Sequence, residues 1–290
     1  MRKQPTFLRF FKEKSMKVFE KRPTICKFAD CREWNVLFMH KLRHILLAFA
    51  FLLTLPVIGQ EEPSADASRQ YELGKKYFSD GDQAKAVLFY SRAAEQEHAG
   101  AQCSLGLCYM KGTGVPKDLN KSVYWLGKSA NNGNPTAQYL IGICYKTGQG
   151  LSADDSKAAH WFTIAANNGH ADGQYNLGIC YRKGVGVEQD DKKAVYWYGK
   201  AANQGHAEAQ CNLGVCYEKG IGLSQDYDKA FTWYQSASER GSALATCNLA
   251  ICYYNGRGTE KDTAKACELF KKAAEMGNET ARKALEKLGE

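Results

Sequence analysis

The sequence predicts an all-α solenoid of helix-turn-helix repeats with a period of 36 residues. Five related stretches, such as AQCNLGVCYEKGIGLSQD, begin at Ala101, Ala137, Gly173, Ala209 and Ala245, each 36 residues after the one before. Each repeat contains two segments whose apolar residues recur at helical spacing, separated by a short glycine-containing turn. A unit that recurs at a fixed period of this length is typical of stacked helix pairs rather than of a single catalytic or metal site.

The first segment of each repeat is predicted to be a helix that lies close to its partner helix. In one repeat, Leu177, Gly178 and Tyr181 fall on one face. Glycine within a helix costs about 1 kcal/mol relative to alanine, so its recurrence needs a reason such as close helix approach. The equivalent small residues are Gly106, Gly142, Gly214 and Ala250.

A turn and a second helix complete each repeat. Gly220 and Gly222 suit a left-handed helix end followed by a turn. Asp226 stands where an N-cap should begin the second helix, which carries Ala230 and Tyr234 on its apolar face. The equivalent aspartates are Asp118, Asp154, Asp190 and Asp262.

One helix pair cannot bury its apolar faces alone, so successive pairs must stack. We expect the solenoid to cover residues 68–290, with about six helix pairs and a C-terminal capping helix over residues 279–288. The first pair belongs to a shorter unit that begins near Gln70 and lacks the second turn glycine. Residues 60–67 read as a flexible leader because they are mostly polar or small.

The excess positive charge lies outside the predicted solenoid. Residues 1–59 hold 12 Lys and Arg against 4 Asp and Glu, whereas the remainder holds 27 of each. Nucleic-acid binding depends on releasing counterions from phosphates, so a repeat region without net charge lacks the main driving force for it. The sequence therefore predicts no nucleic-acid partner.

Residues 39–59 have the layout of a secretory signal peptide. A short basic start precedes an apolar run over residues 45–58, and cleavage is expected after Gly59. We expect translation to begin at Met39, with the basic extension 1–38 lying upstream of the true start. The predicted location is the periplasm or the exterior, with no membrane attachment after cleavage. The alternative is an uncleaved membrane anchor at residues 45–58.

The pattern LGxxYxxGxGVxxDxxKAxxWYxKAAxxG, nearly intact in residues 177–205, resembles the Sel1-like repeat (SLR). This repeat is related to the tetratricopeptide repeat, and the resemblance covers about residues 69–290. It implies a right-handed α–α superhelix that serves as an adaptor for protein complexes. It does not identify the partner.

The cysteines are predicted to be core residues. Cys211 and Cys216 are five residues apart, which places them about 140° apart on a helix, too divergent for a disulfide or a shared metal ion. The resemblance also implies that cysteine-rich relatives carry a disulfide between successive repeats, but alanines such as Ala202 occupy that position here. Cys267, the one cysteine on a second helix, is a candidate to form a disulfide with Cys252 of its own repeat. We expect no metal and no cofactor.

The first alternative is an enzyme, either β-lactamase-like or a cell-wall hydrolase of the cysteine-rich repeat type, since some cysteine-rich relatives have been described as β-lactamases. The triplet Lys146-Thr147-Gly148 matches one found in penicillin-recognising enzymes. It occupies the ordinary turn position, however, and no SxxK or SDN motif accompanies it. The paired turn glycines follow helices rather than strands, so they do not form a nucleotide fingerprint.

The variable columns of the first helices are predicted to form a partner-binding groove. They lie opposite the face that packs on the second helix, which is the concave wall of the solenoid. Tyrosine and arginine are favoured at interface hot spots. The groove candidates are Tyr139, Tyr175, Asn176, Arg182, Asn212, Asn248, Lys146, Lys183, Glu218 and Tyr254.

The predicted function is therefore a non-enzymatic exported scaffold that binds a protein or peptide on its concave face. A second alternative is a cytosolic or membrane-anchored regulator of a signalling or secretion complex. The oligomeric state is left open.

Overall fold

A computed structural model describes residues 66–289 of the chain, which form thirteen α-helices and no strand within that range. The predicted extension 1–38, the signal peptide 39–59 and most of the leader lie outside the described residues. The helices are α1 (Ala67–Ser79), α2 (Gln83–Glu95), α3 (Ala99–Lys111), α4 (Leu119–Asn131), α5 (Pro135–Thr147), α6 (Asp155–Asn167), α7 (Ala171–Lys183), α8 (Asp191–Asn203), α9 (Ala207–Lys219), α10 (Tyr227–Glu239), α11 (Ala243–Asn255), α12 (Thr263–Glu275) and α13 (Glu279–Leu288).

The helices pack in sequence order, each on the one before and the one after. This arrangement is an α-solenoid, as predicted, with the odd-numbered helices as the first members of the pairs. Helix α1 begins at Ala67, with the Asp66 side chain accepting a hydrogen bond from the Ser68 amide. None of the helices within residues 66–289 combines the length and the apolar character needed to cross a membrane.

Close approach within each pair explains the mid-helix glycines. A Cβ added to Gly178 would lie 2.6 Å from two ring carbons of Tyr198 on the facing helix, closer than real contacts allow. The expectation of close packing is therefore confirmed. The same relation holds between Gly106 and Leu126, Gly142 and Phe162, and Gly214 and Tyr234.

The turn glycines have two different roles. Gly184 ends α7 in the left-handed conformation, with a φ of 66°, as the sequence predicts. Gly186 is also left-handed, with a φ of 71°, and a side chain there would overlap the Asp155 carbonyl of the preceding repeat. The second glycine therefore also allows neighbouring repeats to pack. Asp190 then caps α8 as predicted, accepting a hydrogen bond from the Lys193 amide at 3.0 Å.

A buried glutamine joins successive repeats, a feature that the sequence did not reveal. Gln174 donates from Nε2 to the Ala166 carbonyl at 3.1 Å, and its Oε1 accepts from Gln204 Nε2 at 2.7 Å. One side chain thus links the ends of α6, α7 and α8. Buried amides that are satisfied in this way favour one register of packing. Gln102 and Gln138 are bonded in the same way, whereas Gln210 donates to the Ala202 carbonyl but its Oε1 accepts no hydrogen bond.

The cysteines are core residues, as predicted. Of the nine within residues 66–289, all but Cys267 are buried, and all nine are free thiols. The bridge considered between Cys252 and Cys267 is not formed. Cys252 is buried in a cluster with Tyr234 and Ala237 of the preceding repeat, whereas Cys267, on α12, is not part of that cluster.

Candidate functional site

Four of the predicted groove residues meet in one surface pocket between α7 and α9, hereafter the α7–α9 pocket. Its volume is about 510 Å³, within the range of pockets that hold ligands. Tyr175, Arg182 and Lys183 come from α7, and Asn212 comes from α9. The remaining lining residues are Ile179, Tyr198, Val215, Cys216, Lys219 and Ile221.

The inner part of the pocket contains buried side chains. Tyr198, on α8, is 3% exposed, and burial raises the pKa of its phenol well above the ordinary value. The nearby Asn212 side chain partly offsets the rise that burial causes in the pKa of Tyr198 and of Tyr175. Burial also raises the pKa of the Cys216 thiol to about 11, so this sulfur is protonated at neutral pH and is a poor nucleophile.

The rim of the pocket carries positive charge. Arg182 forms an ion pair with Asp191 of α8, with 3.2 Å between Nη1 and Oδ1. Both side chains are about one-third exposed, so the pair holds the guanidinium in place but contributes little to stability. Lys183 and Lys219, from the last turns of α7 and α9, are exposed.

The predicted tyrosines also join neighbouring repeats. The Tyr175 ring stacks on His206, with the centroids 4.5 Å apart, and Tyr139 stacks in the same way on His170 at 4.9 Å. One face of each ring is therefore covered by the next repeat. Both tyrosines are half-buried rather than freely presented.

Each stacked histidine also begins a helix, which the sequence did not reveal. His170 Nδ1 accepts a hydrogen bond from the Gly173 amide at 3.2 Å and thereby caps α7. Burial lowers the pKa of His170, which favours the neutral ring that this cap requires. The position could have been recognised because the equivalent residues, Asn134, Ser242 and Asn278, are ordinary N-cap residues.

Three other predicted groove residues are bonded within the structure. Lys146 Nζ donates to the Asn176 side-chain carbonyl at 3.2 Å, and Asn176 is itself buried. Asn248 donates to the Cys211 sulfur at 3.8 Å, a weak contact between neighbouring repeats. The two contacts link neighbouring repeats at two different junctions. None of the three predicted residues lines the α7–α9 pocket.

The last two predicted groove residues are Glu218, on α9 of the fifth repeat, and Tyr254, on α11 of the sixth. Glu218 accepts a hydrogen bond from the Tyr234 hydroxyl at 2.7 Å and a second from Arg257 at 3.3 Å. Its carboxylate is therefore paired with groups that do not line the pocket. Tyr254 is 38% exposed, with the Lys261 ammonium 5.7 Å from its ring centroid.

The features that suggested enzymatic chemistry have structural roles. Lys146 and Thr147 end α5, the Thr147 hydroxyl donates to the Ile143 carbonyl, and Gly148 provides the left-handed helix end. Within residues 66–289, no group of three His, Cys, Asp or Glu side chains is arranged to hold a metal ion.

The Sel1 repeat family model matches the chain at residues 69–98, 99–134, 135–170, 171–206, 207–242 and 243–278. Among solved structures, a protective antigen of uropathogenic Escherichia coli with an SLR fold is 37% identical, with a TM-score of 0.71 over 74% of this chain. The alignment covers 47% of that antigen, so the chain spans about half of its length. A Sel1 repeat protein from Oxalobacter formigenes is 30% identical, with a TM-score of 0.71 over 77% of this chain and 87% of that one. No curated protein matches the chain.

Proposed function

The chain belongs to the Sel1 repeat family, whose helical scaffolds mediate protein–protein interactions, and on that premise we propose that it is an exported, non-enzymatic scaffold. Its partner would be a protein or peptide segment that binds along the concave face, across the last turns of the first helices. The α7–α9 pocket would be the centre of that interface.

The observation that carries this proposal is the composition of the α7–α9 pocket. Tyr175 and Arg182, residue types that are favoured at interface hot spots, are both held in place by contacts with neighbouring helices. Little conformational entropy is lost when a partner binds side chains that are already ordered. The apolar inner part and the polar rim also match the usual anatomy of a recognition pocket.

Site-specific crosslinking tests the proposal. A photoreactive residue at Lys183 or Lys219 should crosslink one partner in cells, because both positions border the pocket. The matched control positions are Lys192 and Lys200 of α8, which are also exposed but lie outside the pocket lining. Equal capture from both pairs of positions, or no capture from the pocket pair, would contradict the proposal.

Export rests on the sequence of residues 39–59, with its basic start, apolar run and expected cleavage after Gly59. The test is mass spectrometry of the N-terminus after cell fractionation. A chain that begins at Gln60 and is found outside the cytosol supports export. Retention of residues 45–58 in a membrane fraction would instead support the anchored alternative.

A further inference from the structure

The positive charge on the rim of the α7–α9 pocket is only partly compensated by carboxylates. Arg182, Lys183 and Lys219 line it, and no carboxylate does. Arg182 is paired with Asp191, but Lys183 and Lys219 make no ion pair with any other residue in 66–289. Glu218 is next to Lys219 in sequence, but its carboxylate accepts hydrogen bonds from Tyr234 and Arg257. It therefore does not neutralise either lysine.

The other junctions between first helices lack this combination. Between α5 and α7, the Lys146 ammonium donates a hydrogen bond to Asn176. The position in α5 that is equivalent to Lys183 of α7 is occupied by Thr147. Between α9 and α11, Glu218 occupies the position equivalent to Arg182, and Asn255 occupies the position equivalent to Lys219. A lysine at the end of a helix interacts favourably with the helix dipole, which explains one cation in a last turn. It does not explain three cations around one apolar pocket.

The apolar part of the pocket adds a second requirement. Ile179, Val215 and Ile221 also line the pocket, and their side chains offer a ligand only apolar surface. A ligand that satisfies the whole pocket therefore carries negative charge beside an apolar side chain. A nucleic acid would need a continuous row of cations along the solenoid, and the neighbouring junctions do not extend one.

We propose that the α7–α9 pocket recognises an acidic peptide segment of the partner, with Asp or Glu side chains at Lys183 and Lys219 and an adjacent apolar side chain between Ile179 and Val215. This inference rests on the proposed function and specifies the partner's chemistry. Exposed cations on opposite sides of an apolar pocket would fix the orientation of the segment and increase its association rate.

Fluorescence polarisation with the full chain tests the acidic preference. The probe is a pool of labelled octapeptides that alternate Glu with Leu or Phe, and matched pools carry Gln or Lys in place of Glu. The acidic pool should bind about tenfold more tightly than the Gln pool at low salt, with the difference shrinking as salt is added. Equal binding of the Glu and Gln pools, no binding of any pool, or preference for the Lys pool would overturn the inference.

Charge-reversal variants locate the binding. The double variant Lys183→Glu/Lys219→Glu should lose about tenfold or more in affinity for the acidic pool, because repulsion replaces attraction at two positions. The variant Lys192→Glu/Lys200→Glu makes the same change in net charge on α8 and should bind as the unmodified chain does. Circular dichroism checks that both variants are folded. Equal losses in the two variants would show that net charge, rather than the pocket, governs binding and would overturn the inference.

Three further outcomes separate this inference from the proposed function. Tighter binding of a single-stranded oligonucleotide than of the acidic pool would overturn the peptide assignment. A partner that crosslinks at Lys183 through a neutral or basic segment would leave the scaffold function standing and refute the acidic preference. Absence of any partner crosslinked at the pocket would refute the proposed function itself.

Discussion

Two glycines within one repeat should respond in opposite ways to the same substitution. Gly178, in α7, and Gly199, in α8, are both helical. A Cβ on Gly199 would meet no atom within 4 Å, whereas one on Gly178 would lie 2.6 Å from the Tyr198 ring. Alanine is favoured over glycine within a helix by about 1 kcal/mol, so Gly199→Ala should stabilise the protein by about that amount.

Gly178→Ala gains the same helix propensity but overpacks the interface between α7 and α8. Inserting a methyl group into a tightly packed core costs about 1–3 kcal/mol, so the net change is a loss of about 0–2 kcal/mol. The difference between the two variants is therefore expected to be about 1–3 kcal/mol. In the sixth repeat Ala250 already occupies the equivalent position and packs with Phe270, so Ala250→Gly should cost about 1 kcal/mol.

Urea denaturation followed by circular dichroism measures these differences as shifts in the midpoint. Each repeat contacts only its neighbours, so a local change in the fourth repeat alters the stability of the solenoid through its nearest-neighbour interfaces. Equal stabilisation by Gly178→Ala and Gly199→Ala would refute the explanation of the mid-helix glycines by close helix approach.

Three further predictions follow from caps and thiols. Asp190→Ala should destabilise the protein by about 1 kcal/mol in urea denaturation, because α8 loses its N-cap; an unchanged midpoint would contradict that role. His170 has a lowered pKa when folded, so its stabilising contribution is complete above the ordinary value of 6.5 and is lost as the pH falls through the lower folded value. The variant His170→Asn should keep the cap and show a smaller loss of stability between about pH 8 and about pH 5, and identical pH profiles would refute this. In a chain without Cys26 and Cys31, a polar thiol reagent should modify only Cys267 rapidly, and Cys267→Ser should remove that fast phase; rapid reaction of further thiols would contradict their burial.

Much of the fold could be predicted from the sequence because its signals are local. The caps at Asp190 and Asp226 connect residues three positions apart, and the left-handed ends at Gly184 and Gly220 follow from the conformational freedom of one residue. The period of 36 residues then repeats these local choices, which makes each of them easier to recognise. The family could be recognised for the same reason.

The candidate site could be predicted only in part. The sequence placed Tyr175, Arg182, Lys183 and Asn212 on the surface that turned out to contain the α7–α9 pocket. It did not indicate that Tyr198 reaches the same pocket from the second helix, because its spacing also fits the helix interface, where it does pack against Gly178.

The sequence by itself determined the helices, their ends and their order, because each depends on residues within a few positions along the chain. Only the tertiary structure decided which polar side chains of the first helices remain available to a partner. The contacts between Lys146 and Asn176, and between Glu218 and Arg257, join residues 30 and 39 positions apart. Whether such groups meet depends on the spacing and rotation of stacked repeats, which no local pattern encodes. The sequence alone therefore could not separate bonded groups such as Lys146 from Lys183 and Lys219, which make no ion pair within residues 66–289.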